Sequence, residues 1–111
     1  MQDDMLYLSH ILEAIEQIES YLAGVSYPQF IKNKMMIDAV VRELEIIGEA
    51  TNNLSMDIRQ KHPEIPSRDI VDMRNVLIHE YFGVNTKLVW DTCQNELGQL
   101  KQLVAKILHE S

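Results

Sequence analysis

Apolar residues return at three- and four-residue steps along most of the chain, the spacing of helices that bury one face. The first stripe is Met5, Leu8, Leu12, Ile15, Ile18 and Leu22, with Glu13, Glu16 and Glu19 on or beside the wet face. Gly24 and Ser26-Tyr27-Pro28 end that helix and open the next, since proline costs little near a helix start. A second stripe, Ile37, Val40, Val41, Leu44, Ile47 and Leu54, predicts the longest helix, about Gln29 to Asn53. Gly48 and Ala50 within it are small enough to let another helix approach closely. Ser55 is a predicted N-cap for a short turn, Met56 to Gln60, and His62-Pro63-Glu64-Ile65-Pro66 then stops helix formation. Ser67 is predicted to cap a third helix, with Asp69 and Asp72 at the positive end of its dipole and Ile70, Met73 and Leu77 as its buried face. After a break at Phe82-Gly83-Val84-Asn85, Asn85 caps the last helix, about Thr86 to His109, whose stripe is Val89, Cys93, Leu97, Leu100, Val104 and Ile107. No stretch alternates as a half-buried strand would, and no internal repeat or linker interrupts the pattern. The expectation is one all-α domain over residues 1–111, an antiparallel bundle of four main helices plus a short helical turn.

Composition narrows the setting. The 111 residues leave room for a single core. One cysteine, Cys93, excludes an internal disulfide and fits a reducing compartment. No apolar run reaches the ~20 residues a membrane span needs, and the start, MQDDMLYLSH, is acidic where a secretory leader is basic, so a cytoplasmic protein is expected. The net charge of −7 first counts against nucleic acid, because phosphate binding draws on Lys and Arg. Dividing it along the chain changes that. Residues 1–56 carry −6, residues 57–81 carry −1 and residues 82–111 balance. The acidity belongs to the first two predicted helices, which leaves room for an RNA cleft near Arg59, Lys61, Arg68 and Arg74, with weak and salt-sensitive binding.

Most reactive side chains have an ordinary explanation. His10, His62, His79 and His109 fall on separate elements with no second His or Cys at a ligand spacing, so no metal is expected. Cys93 sits on an apolar stripe, and Met35, Met36, Met56 and Met73 read as core or interface filler. No glycine-rich loop cradles a phosphate. The exception is Arg74-Asn75-Val76-Leu77-Ile78-His79-Glu80-Tyr81. Arg holds phosphate bidentately and neutral His exchanges protons near pH 7, enough for attack of a ribose 2′-hydroxyl on its own phosphate without metal or cofactor. On one continuous helix, however, Arg74 and His79 point roughly 140° apart. A site therefore needs a helix that ends near His79 or groups from a second subunit, as in a two-fold dimer. The competing reading, which spacing alone favours, has Arg74 paired within the bundle and His79 as a satisfied helix-end residue.

These residues carry a resemblance. Arg74 to His79 fits the Arg-(four to six residues)-His motif of the HEPN superfamily, and Tyr81 extends it to the RxxxxHxY form of HepT-like toxins. The segments His10–Glu16, Asp38–Ala50 and Met73–Phe82, with Val89-Trp90, also resemble that family, in its order. The resemblance implies a dimeric, metal-independent endoribonuclease toxin with Arg74 and His79 as catalytic pair and Asn75 orienting the site. It also implies a nucleotidyltransferase antitoxin of the MntA type, which transfers AMP onto Tyr81 and so adds bulk and negative charge beside the RNA cleft. RNA is then the substrate, with no DNA or membrane partner expected. The chain departs from the family pattern with Ser67 in place of Trp, Asp72 in place of Gly, and no basic residues at the start, which bears on nuclease strength. The acidic surface and Asp72 favour a second expectation, a noncatalytic helical substrate-binding or regulatory subunit of a nucleotidyltransferase.

Overall fold

The computed structural model describes residues 2–79 and 85–110. Among the described residues the chain is all helical: α1 (Gln2–Leu22), α2 (Tyr27–Ile31), α3 (Lys34–Asn52), α4 (Met56–Lys61), α5 (Ser67–His79), α6 (Thr86–Asn95) and α7 (Leu97–Glu110). The four apolar stripes are present, but two of the helices they predict are broken. The expected Gln29–Asn53 helix is α2 followed by α3. Asn33 has extended backbone, and its side chain accepts from the Met36 N–H at 3.0 Å, which starts a new helix. The expected Thr86–His109 helix divides at Glu96 into α6 and α7. There the Thr92 hydroxyl bonds back to the Leu88 carbonyl at 2.8 Å, and Gly98, a weak helix former, follows two residues on. Hydrophobic periodicity registers which residues face inward and is blind to such breaks.

Local chemistry sets the other boundaries. Gly24 takes a left-handed φ of 73° just past α1, where a side chain would be strained. Ser26 and Gln29 form a reciprocal capping box on α2, with Pro28 in its first turn. Ser55 caps α4 and Asn85 caps α6, as their sequence positions predict. Ser67 does not cap α5 as expected. The Pro66 carbonyl accepts the first helical bond, from the Ile70 N–H, and the Ser67 hydroxyl turns back toward the Ile65 carbonyl.

The core lies between α1, α3 and α7. Leu8, Ile11, Ile15 and Ile18 of α1 are buried against Val40, Leu44 and Ile47 of α3 and Val104 and Ile107 of α7. The inward face of α1 is therefore centred on Ile11 and Ala14, and Met5 and Leu12 from the predicted stripe are half-buried at its edge. Each large aliphatic side chain in this seam contributes about 1.5–3 kcal/mol. α1 runs antiparallel to both neighbours. At one end Asp4 accepts from the Ser55 N–H at 2.8 Å and the Ser55 hydroxyl at 2.6 Å, and at the other Lys101 donates to Glu19 at 2.8 Å. The short α2 docks on α6 through aromatic contacts. Phe30 and Tyr27 lie with ring centroids 5.2 and 5.7 Å from Trp90, and Phe30 is fully buried. Among the described residues no helix is long and apolar enough to cross a membrane.

Candidate active site

The helix that carries the candidate residues is seated by a glycine. α5 crosses α3 where Gly48 is buried, and a Cβ built on Gly48 would collide with Arg74 Cβ, lie 2.6 Å from Arg74 Cγ and stand 3.4 Å from the Ile70 carbonyl oxygen. The Arg74 stem therefore lies in a notch that only glycine leaves open. Sequence reasoning had marked Gly48 as a site of close helix approach, and the residue that approaches is the motif arginine itself.

The notch places the guanidinium at the rim of the bundle. Arg74 Nη1 donates to Asn75 Oδ1 at 3.0 Å, and Nη2 lies 3.6 Å from Glu49 Oε2. The third donor, Nε, is buried with no hydrogen-bond partner among the described residues. The side chain is 25% exposed and Glu49 is 66% exposed, so water screens the pair, which is worth on the order of 0–1 kcal/mol. Arg74 thus presents a planar fork held at its base and weakly engaged at its tip. The competing expectation, an arginine paired within the bundle, describes the same contact.

The other expected residues divide into groups. Asn75 is adjacent to Arg74 and accepts the bond just described. The backbone is helical without interruption from Arg74 to His79, so the two positions lie roughly 140° apart around α5. The His79 side chain and Tyr81 lie outside the described residues. Arg59 and Arg68 share a cleft between α4 and α5 of 570 Å³, lined also by Gln60, Val71 and Asp72. Arg59 is half-tied there, since its Nη2 donates to the Thr51 carbonyl at 2.7 Å. Arg74 is not in that cleft, and Lys61, exposed in the last turn of α4, does not line it either. Asp72 lines the same cleft as Arg59 and Arg68 and makes no ion pair with Arg74 among the described residues, two positions and about 200° further round the helix.

Beneath α5 a cavity of 270 Å³ opens between Leu44 and Ile47 of α3, Ile70 and Met73 of α5, and Leu97 and Leu100 of α7. Cys93 is half-buried nearby on α6, and burial pushes its thiol up to about 12, so it carries no thiolate at neutral pH. No three His, Cys, Asp or Glu side chains among the described residues gather as a ligand set. The residue that sequence reasoning missed is Glu49. On the wet side of a helix an acid resembles any other solvated acid, and its place directly after Gly48 was the available sign.

Residues 11–107 match the profile described as "Ribonuclease HepT-like". The chain belongs to the HepT-like ribonuclease family. It is 43% identical over 101 residues to a protein of Thermococcus cleftensis named probable ribonuclease HepT, covering 91% of this chain and 92% of that one. Two further relatives are named as putative RNases. The one from Caldanaerobacter subterraneus subsp. tengcongensis is 43% identical over 104 residues, 94% of this chain and 93% of its own. The other, from Methanocaldococcus jannaschii, also bears the name gamma-glutamylcyclotransferase and is 42% identical over 109 residues. That alignment takes in 98% of this chain but 49% of the relative, so the chain spans about half the length of that two-function protein. No solved structure matches the chain.

Proposed function

We propose that this HepT-like ribonuclease is the toxin of a toxin–antitoxin pair, cleaving single-stranded RNA as a homodimer in the cytoplasm without a metal or other cofactor. The observation that carries the reading is Arg74: a motif arginine seated by a glycine notch, steadied by Asn75, and held at its tip by an ion pair weak enough for phosphate to replace. In the reaction the 2′-oxygen forms a bond to the adjacent phosphorus as its proton passes to a base. The bond from phosphorus to the 5′-oxygen breaks, and that oxygen takes a proton. The products are a 2′,3′-cyclic phosphate and a free 5′-hydroxyl. Arg74 stabilises the charge on the phosphoryl oxygens and His79 moves the protons. Because the two positions do not share a face of α5, a second protomer supplies the complementary group, and a two-fold pair of α5 helices brings two Arg74 and two His79 residues to one cleft. Arg59, Arg68 and Lys61 contribute longer-range attraction for the strand.

The same reading includes a nucleotidyltransferase antitoxin that transfers AMP to Tyr81, which adds negative charge beside the phosphate site and repels RNA. Cleavage in EDTA, with the cyclic phosphate identified by mass spectrometry, is the direct test. Arg74→Ala and His79→Ala should each lower the rate at least about 100-fold while the fold is retained. Unchanged cleavage in both variants removes these residues from the reaction. A protein that cleaves nothing yet binds the nucleotidyltransferase is instead its regulatory subunit. Incubation with that partner and ATP should add AMP to the wild type and not to Tyr81→Phe.

A further inference from the structure

A second groove opens on the same side of the bundle as the Arg74 ion pair, between α1 and α3, with a volume of 340 Å³. Glu49, the partner of Arg74, is also one of its lining residues, so the groove begins where the phosphate site ends. Its lining is mostly polar, with Ile46 and the buried Ala50 as the aliphatic residues. One wall is aromatic: the Tyr7 and His10 rings meet edge to face, with centroids 6.2 Å apart and planes at 73°. Asn53 supplies an exposed amide at one end, and Arg42 an exposed guanidinium at the other. Arg42 is held only loosely, 3.9 Å from Glu45, with 69% of its side chain exposed.

We propose that this groove is a nucleotide subsite, holding one unstacked base of single-stranded RNA next to the phosphate at Arg74. The Tyr7 and His10 rings offer a planar base a stacking surface, and an amide reads a base edge with one donor and one acceptor. The phosphate at Arg74 lies beside Glu49, and the base extends from there along the groove. Arg42 and Glu49 are seven residues, about 10 Å, apart along α3, which puts Arg42 within reach of the phosphate next along the strand. A groove of this size, closed by polar groups at both ends, suits one planar group better than a helix of another protein, which needs a longer apolar strip. The inference rests on Arg74 marking the scissile phosphate.

A 2′-O-methyl RNA of about 12 nucleotides binds without offering the nucleophile, so affinity is measured apart from cleavage. Arg42→Ala should weaken binding about 5- to 10-fold and lower the slope of log affinity against log salt by about 0.7, the value of one lost phosphate contact on a single strand. Arg42→Lys should keep that slope. His10→Ala and Asn53→Ala should each weaken binding by about 5-fold, with the salt slope unchanged. Lys106→Ala, on the far helix α7, is the control and should stay within about twofold. These side chains are exposed or at the rim, and thermal melts of the variants should match the wild type. The subsite is overturned if Arg42→Ala behaves like Lys106→Ala, if the wild type does not bind the probe, or if the variants weaken only the complex with the nucleotidyltransferase. Cleavage of ordinary RNA with no response to Arg42→Ala removes the groove and leaves the ribonuclease mechanism standing. Binding that depends on Arg42 without cleavage of ordinary RNA does the reverse.

Discussion

α3 makes two seams, and they are built on opposite principles. Against α1 it packs side chain into side chain, with Leu8, Ile11, Ile15, Ile18 and Val40 at 0–1% exposure. Against α5 it makes its closest approach with no side chain at all, at Gly48. Leu77 is the buried aliphatic among the described side chains of α5, while Ile70 and Met73 are half-buried and border a 270 Å³ cavity. The first seam spreads its stabilisation over many interchangeable contacts. The second concentrates its geometry on one position and gains a fixed backbone height for Arg74. A phosphate-binding side chain needs to be placed within a fraction of an ångström, and a backbone-to-stem contact sets that position more tightly than flexible aliphatic packing does.

The sharpest way to break this comparison is to remove the same atoms from both seams. Ile11→Ala should cost about 3–5 kcal/mol in urea unfolding, because the site is filled on all sides. Ile70→Ala, beside an existing cavity, should cost about 1–2 kcal/mol. Equal costs would mean that the two seams are packed alike. Gly48→Ala tests the other side of the contrast. Alanine is the better helix former by about 1 kcal/mol, yet the collision with Arg74 should make the variant less stable by about 1–3 kcal/mol and lower RNA cleavage at least about 10-fold. A variant that is both more stable and fully active would show that the notch does not position Arg74.

An effect as small as that of Ile70→Ala, and one that vanishes in acid, lies at the polar end of the first seam. Burial pushes the Asp4 carboxyl up, the bonds from the Ser55 hydroxyl and backbone N–H pull it down, and on balance the group lies below its ordinary value of 3.8. A depressed folded-state value stabilises the protein above the unfolded value, and the contribution fades as pH falls through the folded one. Asp4→Asn should therefore be less stable than wild type by about 1–2 kcal/mol at pH 7, with the gap closing below about pH 4. A gap that stays constant down to pH 3 would assign the effect to shape and not to charge.

The two seams also differ in how readily they were read from the chain. The α1–α3 seam follows from periodicity: Leu8, Ile15, Ile18 and Leu22 of the expected stripe are buried, and its error is to take Met5 and Leu12 at the edge of the face and omit Ile11 and Ala14. The breaks at Asn33 and Glu96 were not legible, because cap geometry and side-chain-to-backbone bonds act over single residues inside a stripe that continues across them. At the candidate site, Arg74 and Asn75 stood out by residue type and motif. Glu49 did not, because its part depends on which helix crosses α3 and at what height.

The sequence by itself determined the helical class, the inward faces, the caps at Ser55 and Asn85, and the family to which the chain belongs. These are encoded by local periodicity, short-range hydrogen bonding and the order of motifs. Only the tertiary structure decided that Gly48 seats Arg74, that Glu49 holds its tip, and that Asp72 lines the cleft shared by Arg59 and Arg68. Each of those facts depends on the angle and distance at which two helices cross. That crossing is set by the sum of many core contacts, and no single stretch of the chain carries it.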